Sequence, residues 1–396
     1  MHEFTYSDIV NESIKEPLLA YRYSGQDDSL LYKHVISPLC QWLVEKKTPT
    51  WLAPNTITVV GMLINLLPHA LIFATAVEGT PPHGTLAFLQ GAGMLLYSIA
   101  DNMDGKQARK IGAASPLGMI IDHGCDGISG GLIGLSVAKV MGLEHFWQAL
   151  TILATIFLFF LANLEQYYTH ILYLPKINAV NEGVWAMALT CILTAFLGPE
   201  IWTAQPLGIP NNKIMLISSL VILVVQTVYH TRKMLAKAEK FELLMKSKVT
   251  IAFCLLGLFL YMFNTSLKEY SYLYVIHFSV TKVTILCQIG HVTNKNFNPV
   301  RLANLAIFFL LLVILLLKLF DANVKELTVL LVLMALADFG NFCFQIVWKL
   351  AKLLGIKVFT VIPKETPAST IPEPLEEPAK QDLNGDVSLE SKGSEI

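Results

Sequence analysis

Charge is what this sequence has least of. Of 396 residues only 15% are Asp, Glu, Lys or Arg, while 54% are hydrophobic. Soluble domains carry about a quarter charged residues, and a chain this poor in charge would leave too much apolar surface in water. A soluble globular protein is therefore excluded and an integral membrane protein expected. Cysteine pairing is missing too. Cys40, Cys125, Cys191, Cys254, Cys287 and Cys343 stand singly, mostly inside apolar runs, with no C-x-x-C or zinc-type spacing. Such thiols read as small buried hydrophobes, which excludes a disulfide scaffold. The polar, mixed-charge N-terminus lacks a short apolar core before a cleavage site. No cleaved signal peptide is expected, and the first span is read as the insertion signal.

The net charge of -1 conceals a split. From Pro363 onward lie eight acidic residues and three lysines, which leaves the rest of the chain net positive. Five prolines and no apolar periodicity in that stretch predict a disordered acidic tail over 361–396, because it buries too little surface to offset its ordering entropy.

Crossing the hydrocarbon takes about 20 mostly apolar residues. Ten such spans are expected, centred near Ile64, Met94, Ile133, Ile156, Thr190, Val221, Leu256, Phe278, Phe309 and Leu333. The fold class is an all-α polytopic membrane protein. Basic residues set its orientation. Arg22, Lys33, Lys46 and Lys47 precede the first span, the loop Val77 to Gly84 after it has none, and Arg232, Lys233, Lys237, Lys240, Lys246 and Lys248 follow the sixth. Both clusters place the N-terminus in the cytosol. The segment Ser29 to Val44 reads as an amphipathic helix on the membrane surface. The expected organisation is a cytosolic segment over 1–50, catalytic helices over 51–235, further spans over 236–360, and the tail.

The informative stretch joins spans two and three. It runs Asp101-Asn-Met-Asp104-Gly105-Lys-Gln-Ala108-Arg109, then eight residues to Gly118, three more to Asp122, and on through His123-Gly-Cys to Asp126. An ionised aspartate at mid-membrane costs roughly 2.5–3.5 kcal/mol, so four of them need compensation. At about 100° per residue, Asp101 and Asp104 share a helix face, and Gly118, Asp122 and Asp126 follow i, i+4, i+8 down the next helix. Four like charges aimed at one space would repel and take up protons unless a cation neutralised them. All-oxygen ligands suit a hard cation such as Mg²⁺, Mn²⁺ or Ca²⁺. Four carboxylates suffice for two ions, a clamp suited to phosphoryl transfer. Gly105 and Ala108 let a base or phosphate approach the backbone, and the Arg109 fork suits a diphosphate.

Together these residues match D-x-x-D-G-x-x-A-R-x8-G-x3-D-x3-D at every fixed position, and the chain thereby resembles the CDP-alcohol phosphotransferase family. Tyr21-Arg-Tyr-Ser-Gly, Trp51-Leu-Ala-Pro54-Asn55-Thr-Ile-Thr and Asp-His-Gly-Cys-Asp look like its eukaryotic choline/ethanolamine phosphotransferase branch, with weaker echoes at Glu165-Gln-Tyr-Tyr-Thr and Leu174-Pro-Lys-Ile-Asn. The likeness runs over roughly residues 20–300. It implies two divalent ions, Mg²⁺ or Mn²⁺, bridged by Asp101 and Asp122, with Asp104 and Asp126 each completing one site and Arg109 on the CDP diphosphate. The implied reaction is attack by the hydroxyl of diacylglycerol on CDP-choline or CDP-ethanolamine, releasing CMP. His123 is the expected base, and Asn55 resembles a residue contacting the CDP-alcohol. A homodimer and an endoplasmic reticulum or Golgi membrane, with the site facing the cytosol, are further implications; no nucleic-acid partner is expected.

One departure stands out. The branch shows Gly-Glu-Leu-Phe-Asp-His-Gly where this chain has Gly118-Met119-Ile120-Ile121-Asp122-His123-Gly124. Met119 cannot supply the carboxylate one turn before His123 that would orient the imidazole. Glu165 is weighed as a substrate contact, and His277, Lys282 and Asp338 as members of polar pairs inside the bundle. Gly127, Gly130, Gly131 and Gly134 are read as a close-packing face. Asn264-Thr-Ser is a glycosylation sequon in an expected lumenal loop. Trp51, Tyr97, Tyr167 and Tyr168 are available for an ammonium cage. The competing readings are a CDP-diacylglycerol-dependent phosphatidyltransferase and a polytopic transporter; the latter predicts a second copy of the aspartate constellation, which is absent.

Overall fold

The computed structural model describes residues 6, 8–75, 80–263, 270–320 and 322–361. The Asn264 sequon and the acidic tail beyond Val361 lie outside them. Among the described residues the architecture is a bundle of ten long helices preceded by a surface helix, α1 (Ser37–Lys46). The long helices are α2 (Pro54–Ala74), α3 (Gly84–Lys110), α4 (Pro116–Val140), α5 (His145–Thr169), α6 (Val184–Leu197), α7 (Asn211–Leu235), α8 (Lys240–Phe263), α9 (Ser271–Thr293), α10 (Leu302–Leu319) and α11 (Lys325–Leu354). Each of the ten expected span centres falls inside one of them. Eight are long and apolar enough to cross a membrane. The two that fall short are α3 and α4, the pair that carries the aspartates.

Local chemistry sets the helix limits. Pro54 and Pro116 open α2 and α4 at positions where a missing N–H costs nothing, and the Ser115 hydroxyl accepts from the Gly118 N–H at 3.1 Å to cap α4. Gly355, at φ +65°, ends α11 in the left-handed conformation that glycine takes without penalty.

Helix α9 is the centre of the bundle: 89% of its apolar window is buried, and it packs on α4, α5, α8 and α11. The glycine face of α4 makes this possible. A Cβ on Gly131 would lie 2.6 Å from His277 Nδ1 and 2.7 Å from Ile156 Cγ2, and one on Gly127 2.9 Å from Thr281 Cγ2. The glycines are spent on contacts with α5 and α9 inside this chain. Polar residues within the core are paired as expected. Lys282, 1% exposed, donates to Asp338 Oδ2 of α11 at 2.6 Å, and Tyr6 donates to the other oxygen at 2.9 Å. His277 Nε2 lies 3.0 Å from the Ile128 carbonyl and donates to it.

The surface helix docks on the end of α3. Ile36, Cys40 and Val44, one turn apart, are buried, while Trp42 and Trp51 stay exposed. Lys110 holds the carbonyls of Val44 and Thr48 at 2.6 and 2.9 Å, and Gln107 those of Pro49 and Leu52 at 2.9 and 3.0 Å. Helical structure continues N-terminally through a wide turn over Tyr32–Ile36. Before it, a parallel ladder joins β1 (Gly25–Asp27) to β2 (Leu172–Leu174), with Gln26 opposite Tyr173. Glu182 closes this flap by accepting from the Ser29 hydroxyl at 2.7 Å, the Leu31 N–H at 3.1 Å and the Asn178 N–H at 3.1 Å.

Candidate active site

The turn between α3 and α4, Ile111 to Ser115 with Gly112 at φ +65°, folds the two aspartate-bearing helices back on each other. One carboxylate oxygen each from Asp101, Asp122 and Asp126 lies within 4.8 Å of the other two. Tyr97, one turn before Asp101, donates to Asp126 Oδ1 at 2.7 Å. Asp104 is held from α2, where the Thr58 hydroxyl donates to its Oδ2. The motif thus splits into a three-carboxylate cluster and a fourth aspartate that a neighbouring helix orients.

The cluster is chemically incomplete by itself. Asp101 Oδ1 and Asp122 Oδ1 are buried and have no hydrogen-bond partner among the described residues. Buried polar atoms are mostly satisfied, and orphaned oxygens on two members of a three-carboxyl cluster fit a hard divalent cation. The residues present are the right donor set for Mg²⁺ or Mn²⁺.

Arg109, exposed at the end of α3, has no ion pair or hydrogen bond among the described residues; its guanidinium folds back over Gly105, where a Cβ would sit 3.4 Å from Nη1. Ala108 shares this end, its carbonyl accepting from the Ala113 N–H at 2.8 Å. Gly118 lies beside Asn55, whose Oδ1 would be 3.5 Å from an added Cβ. Asn55 is the second residue of α2 and caps nothing; its amide instead donates to the Val358 carbonyl at 2.8 Å.

His123 is buried and next to the cluster in sequence, with Nδ1 3.0 Å from Asn163 Oδ1. Met119 is buried one turn earlier, its sulfur accepting from Tyr21 O–H at 3.1 Å. The same tyrosine lies edge-on to His291, which stacks on His170. Burial pushes the Tyr21 phenol up to about 12. Tyr23 leaves 56% of its surface exposed, yet burial of its hydroxyl end and then the Asp122 charge lift its phenol above the ordinary value. The segment leading into β1 thus touches α4 at Met119, about one turn before Asp122. Glu165 is not free to meet a substrate as it stands, since it pairs with His230 at 2.5 Å and Lys233 at 3.2 Å. The four aromatics weighed as a cage are scattered: Tyr97 serves Asp126, Trp51 is exposed, and Tyr167 and Tyr168 pack on each other.

Sequence reasoning missed Thr58, Asn163, Gln166, Gln288 and the Tyr97 contact. A tyrosine at i−4 from Asp101 was a readable signal. Asn163 and Gln288 carry only the weaker one of an amide inside an apolar run.

Among the described residues, a helical bundle thus carries a cluster of three carboxyl groups that could hold a metal ion, with a buried histidine next to it in sequence. Residues 51–225 match the CDP-alcohol phosphatidyltransferase family, so the chain carries a CDP-alcohol phosphatidyltransferase domain. It is 35% identical over 192 residues to choline/ethanolaminephosphotransferase 1 of Arabidopsis thaliana, covering 48% of each chain. It is 36% identical over 185 residues to cholinephosphotransferase 1 of Gallus gallus, covering 46% of this chain and 54% of that one. An uncharacterised class-I family protein of Dictyostelium discoideum is 34% identical over 202 residues, half of each chain. The chain spans about half the length of the curated relatives it matches.

Proposed function

We propose that this protein transfers phosphocholine or phosphoethanolamine from the CDP-alcohol to the hydroxyl of diacylglycerol, releasing CMP and forming phosphatidylcholine or phosphatidylethanolamine. The observation that carries the reading is the cluster of Asp101, Asp122 and Asp126, with two orphaned buried oxygens, beside a buried His123. The names of the Arabidopsis and Gallus relatives support the substrate class.

Asp101, Asp122 and Asp126 would hold one divalent ion, and Asp104 would share in a second. Such ions neutralise the diphosphate and the leaving phosphate when bound. Arg109 adds a fork for the diphosphate, and Gly105 and Gly118 leave its approach open. His123 accepts the proton of the diacylglycerol hydroxyl. The O–H bond breaks as the new O–P bond forms on the phosphate next to the alcohol, and the P–O bond to CMP breaks with its electron pair leaving on CMP. The basic segments flanking the first and sixth spans support a cytosolic site, and the branch resemblance an endoplasmic reticulum or Golgi membrane.

The test is CMP release by purified protein in detergent with Mg²⁺ or Mn²⁺, diacylglycerol and each labelled CDP-alcohol in turn. Turnover is expected with at least one donor and lost on chelation. His123→Ala is expected to lower turnover about 10²- to 10⁴-fold while CDP-alcohol still binds. CMP release from neither donor, or release only from CDP-diacylglycerol with a polar alcohol acceptor, overturns the proposal.

A further inference from the structure

We propose that Asn163 of α5, itself held by Gln288 of α9, is the positioning residue that sets the tautomer and orientation of His123 in the absence of a carboxylate at Met119. This inference rests on the reading of His123 as the base.

The hydrogen bonds permit one assignment. Asn163 Nδ2 donates to the Phe159 carbonyl at 2.7 Å, one turn back on α5, which fixes the amide and makes Oδ1 the atom facing His123. Gln288 Nε2 donates to that same Oδ1 and, with its second hydrogen, to Gln166 Oε1 at 3.0 Å. Asn163 Oδ1 is therefore purely an acceptor here. His123 Nδ1, 3.0 Å away, must be the donor. A neutral imidazole with its proton on Nδ1 has its lone pair on Nε2, the nitrogen on the far side of the ring. That is the nitrogen a base must present.

The burial pattern makes this a built arrangement. Asn163, Gln166 and Gln288 are 3%, 1% and 1% exposed, in the apolar core where α5 meets α9. Placing three amides there costs desolvation, which the bonds among them offset in part, Gln166 Nε2 and Gln288 Oε1 having no partner among the described residues. Gln288 lies outside residues 51–225, so a C-terminal helix reaches into the site of the matched domain. Cys287 beside it donates weakly to the Asn163 carbonyl at 3.6 Å, a second tie between the same two helices. Met119, the position from which α4 itself would otherwise have reached His123, is occupied with Tyr21. The ring is oriented from the opposite side, by a neutral acceptor in place of a charged one.

The experiment measures kcat and KM for CMP release with CDP-choline and CDP-ethanolamine, and melting in detergent, for the unsubstituted chain and three variants. Asn163→Leu removes the acceptor and is expected to lower kcat about 10- to 100-fold, as loss of an orienting partner does elsewhere, with KM for the CDP-alcohol within about twofold. Asn163→Asp keeps an acceptor for both His123 and Gln288 and is expected to retain most of kcat. Gln288→Met removes one donor from Asn163 and is expected to lower kcat about threefold, less than Asn163→Leu does. A merely structural asparagine would lower melting without this split and without rescue by aspartate. Full kcat in Asn163→Leu, or equal loss in the Leu and Asp variants at unchanged melting, overturns the inference. Should both Asn163 variants fail to fold, unchanged kcat in Gln288→Met overturns it. CMP from neither donor with the unsubstituted chain overturns the reading of His123 and this inference together, whereas turnover that is indifferent to Asn163 overturns the inference alone.

Discussion

The α3–α4 turn and the central helix α9 both carry polar side chains into an apolar bundle, and they do it by opposite means. At the turn, the polar groups are anions of one sign, drawn together by helix spacing, with two oxygens that no described residue satisfies. Along α9, Lys282 is matched by Asp338 and Tyr6, and the amide NH₂ of Gln288 by Asn163 and Gln166, each partner coming from elsewhere in the chain; the atoms left over, Gln288 Oε1 and Nδ1 of His277 and His291, are single and uncharged oxygens or nitrogens, not a cluster of carboxyl groups. Unpartnered oxygens gathered from clustered carboxyl groups mark a place that fits a cation. A charge matched within the chain, as Lys282 is by Asp338, marks the scaffold. A bundle of this kind tolerates charge in two ways, and only the first leaves a coordination site open.

The comparison breaks most decisively at Asp122. Asp122→Asn keeps the shape and removes one of the orphaned anions, and CMP release is expected to fall about three orders of magnitude, the scale of several kcal/mol of lost charge stabilisation. Mn²⁺ is expected to raise the melting temperature of the unsubstituted protein in detergent and to leave Asp122→Asn unmoved. An Mn²⁺-dependent shift that survives in the variant would mean that Mn²⁺ acts elsewhere and that the cluster is not its site.

Lys282 tests the other half. Lys282→Met strands the Asp338 carboxylate with Tyr6 alone, and breaking a buried pair in this way costs about 3–5 kcal/mol. The melting transition is expected to drop by several degrees, while CMP release at low temperature persists. The double variant Lys282→Met with Asp338→Leu is expected to recover part of the loss, since no charge is then left unpaired. Lost turnover at unchanged melting would move this part of α9 from scaffold to site.

The same contrast explains what could be read from the sequence. Asp101, Asp104, Asp122 and Asp126 lie on two consecutive helices joined by a short turn, so helical spacing alone brings them to one end. Eight of the ten expected spans were legible because hydrophobic runs report the solvent directly, whereas α3 and α4, which carry the aspartates, are helices that fall short of a span; the surface helix was legible because Ile36, Cys40 and Val44 repeat at one turn. The pairing of Lys282 with Asp338 was expected as a kind of contact but not as a partner choice. Asn163 and Gln288 are 125 residues apart, and only the crossing of α5 and α9 joins them. That crossing depends on how closely α4 lets both helices approach, which Gly127 and Gly131 decide through contacts no local pattern contains. The weak echoes after α5 had the same obscurity: Leu172–Leu174 pairs with Gly25–Asp27 across most of the first half of the chain.

The flap gives the smallest effect and the finest division between site and scaffold. Glu182 receives three donors, from Ser29, Leu31 and Asn178. Glu182→Gln keeps one acceptor oxygen but turns an NH₂ toward one of those donors, which costs about 1–2 kcal/mol for a lost bond to a charged group. Amide exchange over residues 25–31 and 172–183, corrected for intrinsic rates, is expected to quicken by about 5- to 30-fold, with melting of the bundle unchanged. Because Tyr21, just before the same flap, bonds Met119 about one turn before Asp122, KM for the CDP-alcohol is expected to rise in that variant while kcat holds. If exchange quickens and KM does not move, the flap is scaffold like α9. If both move together, the N-terminal segment belongs to the binding surface, and the site extends beyond the helices that carry its aspartates.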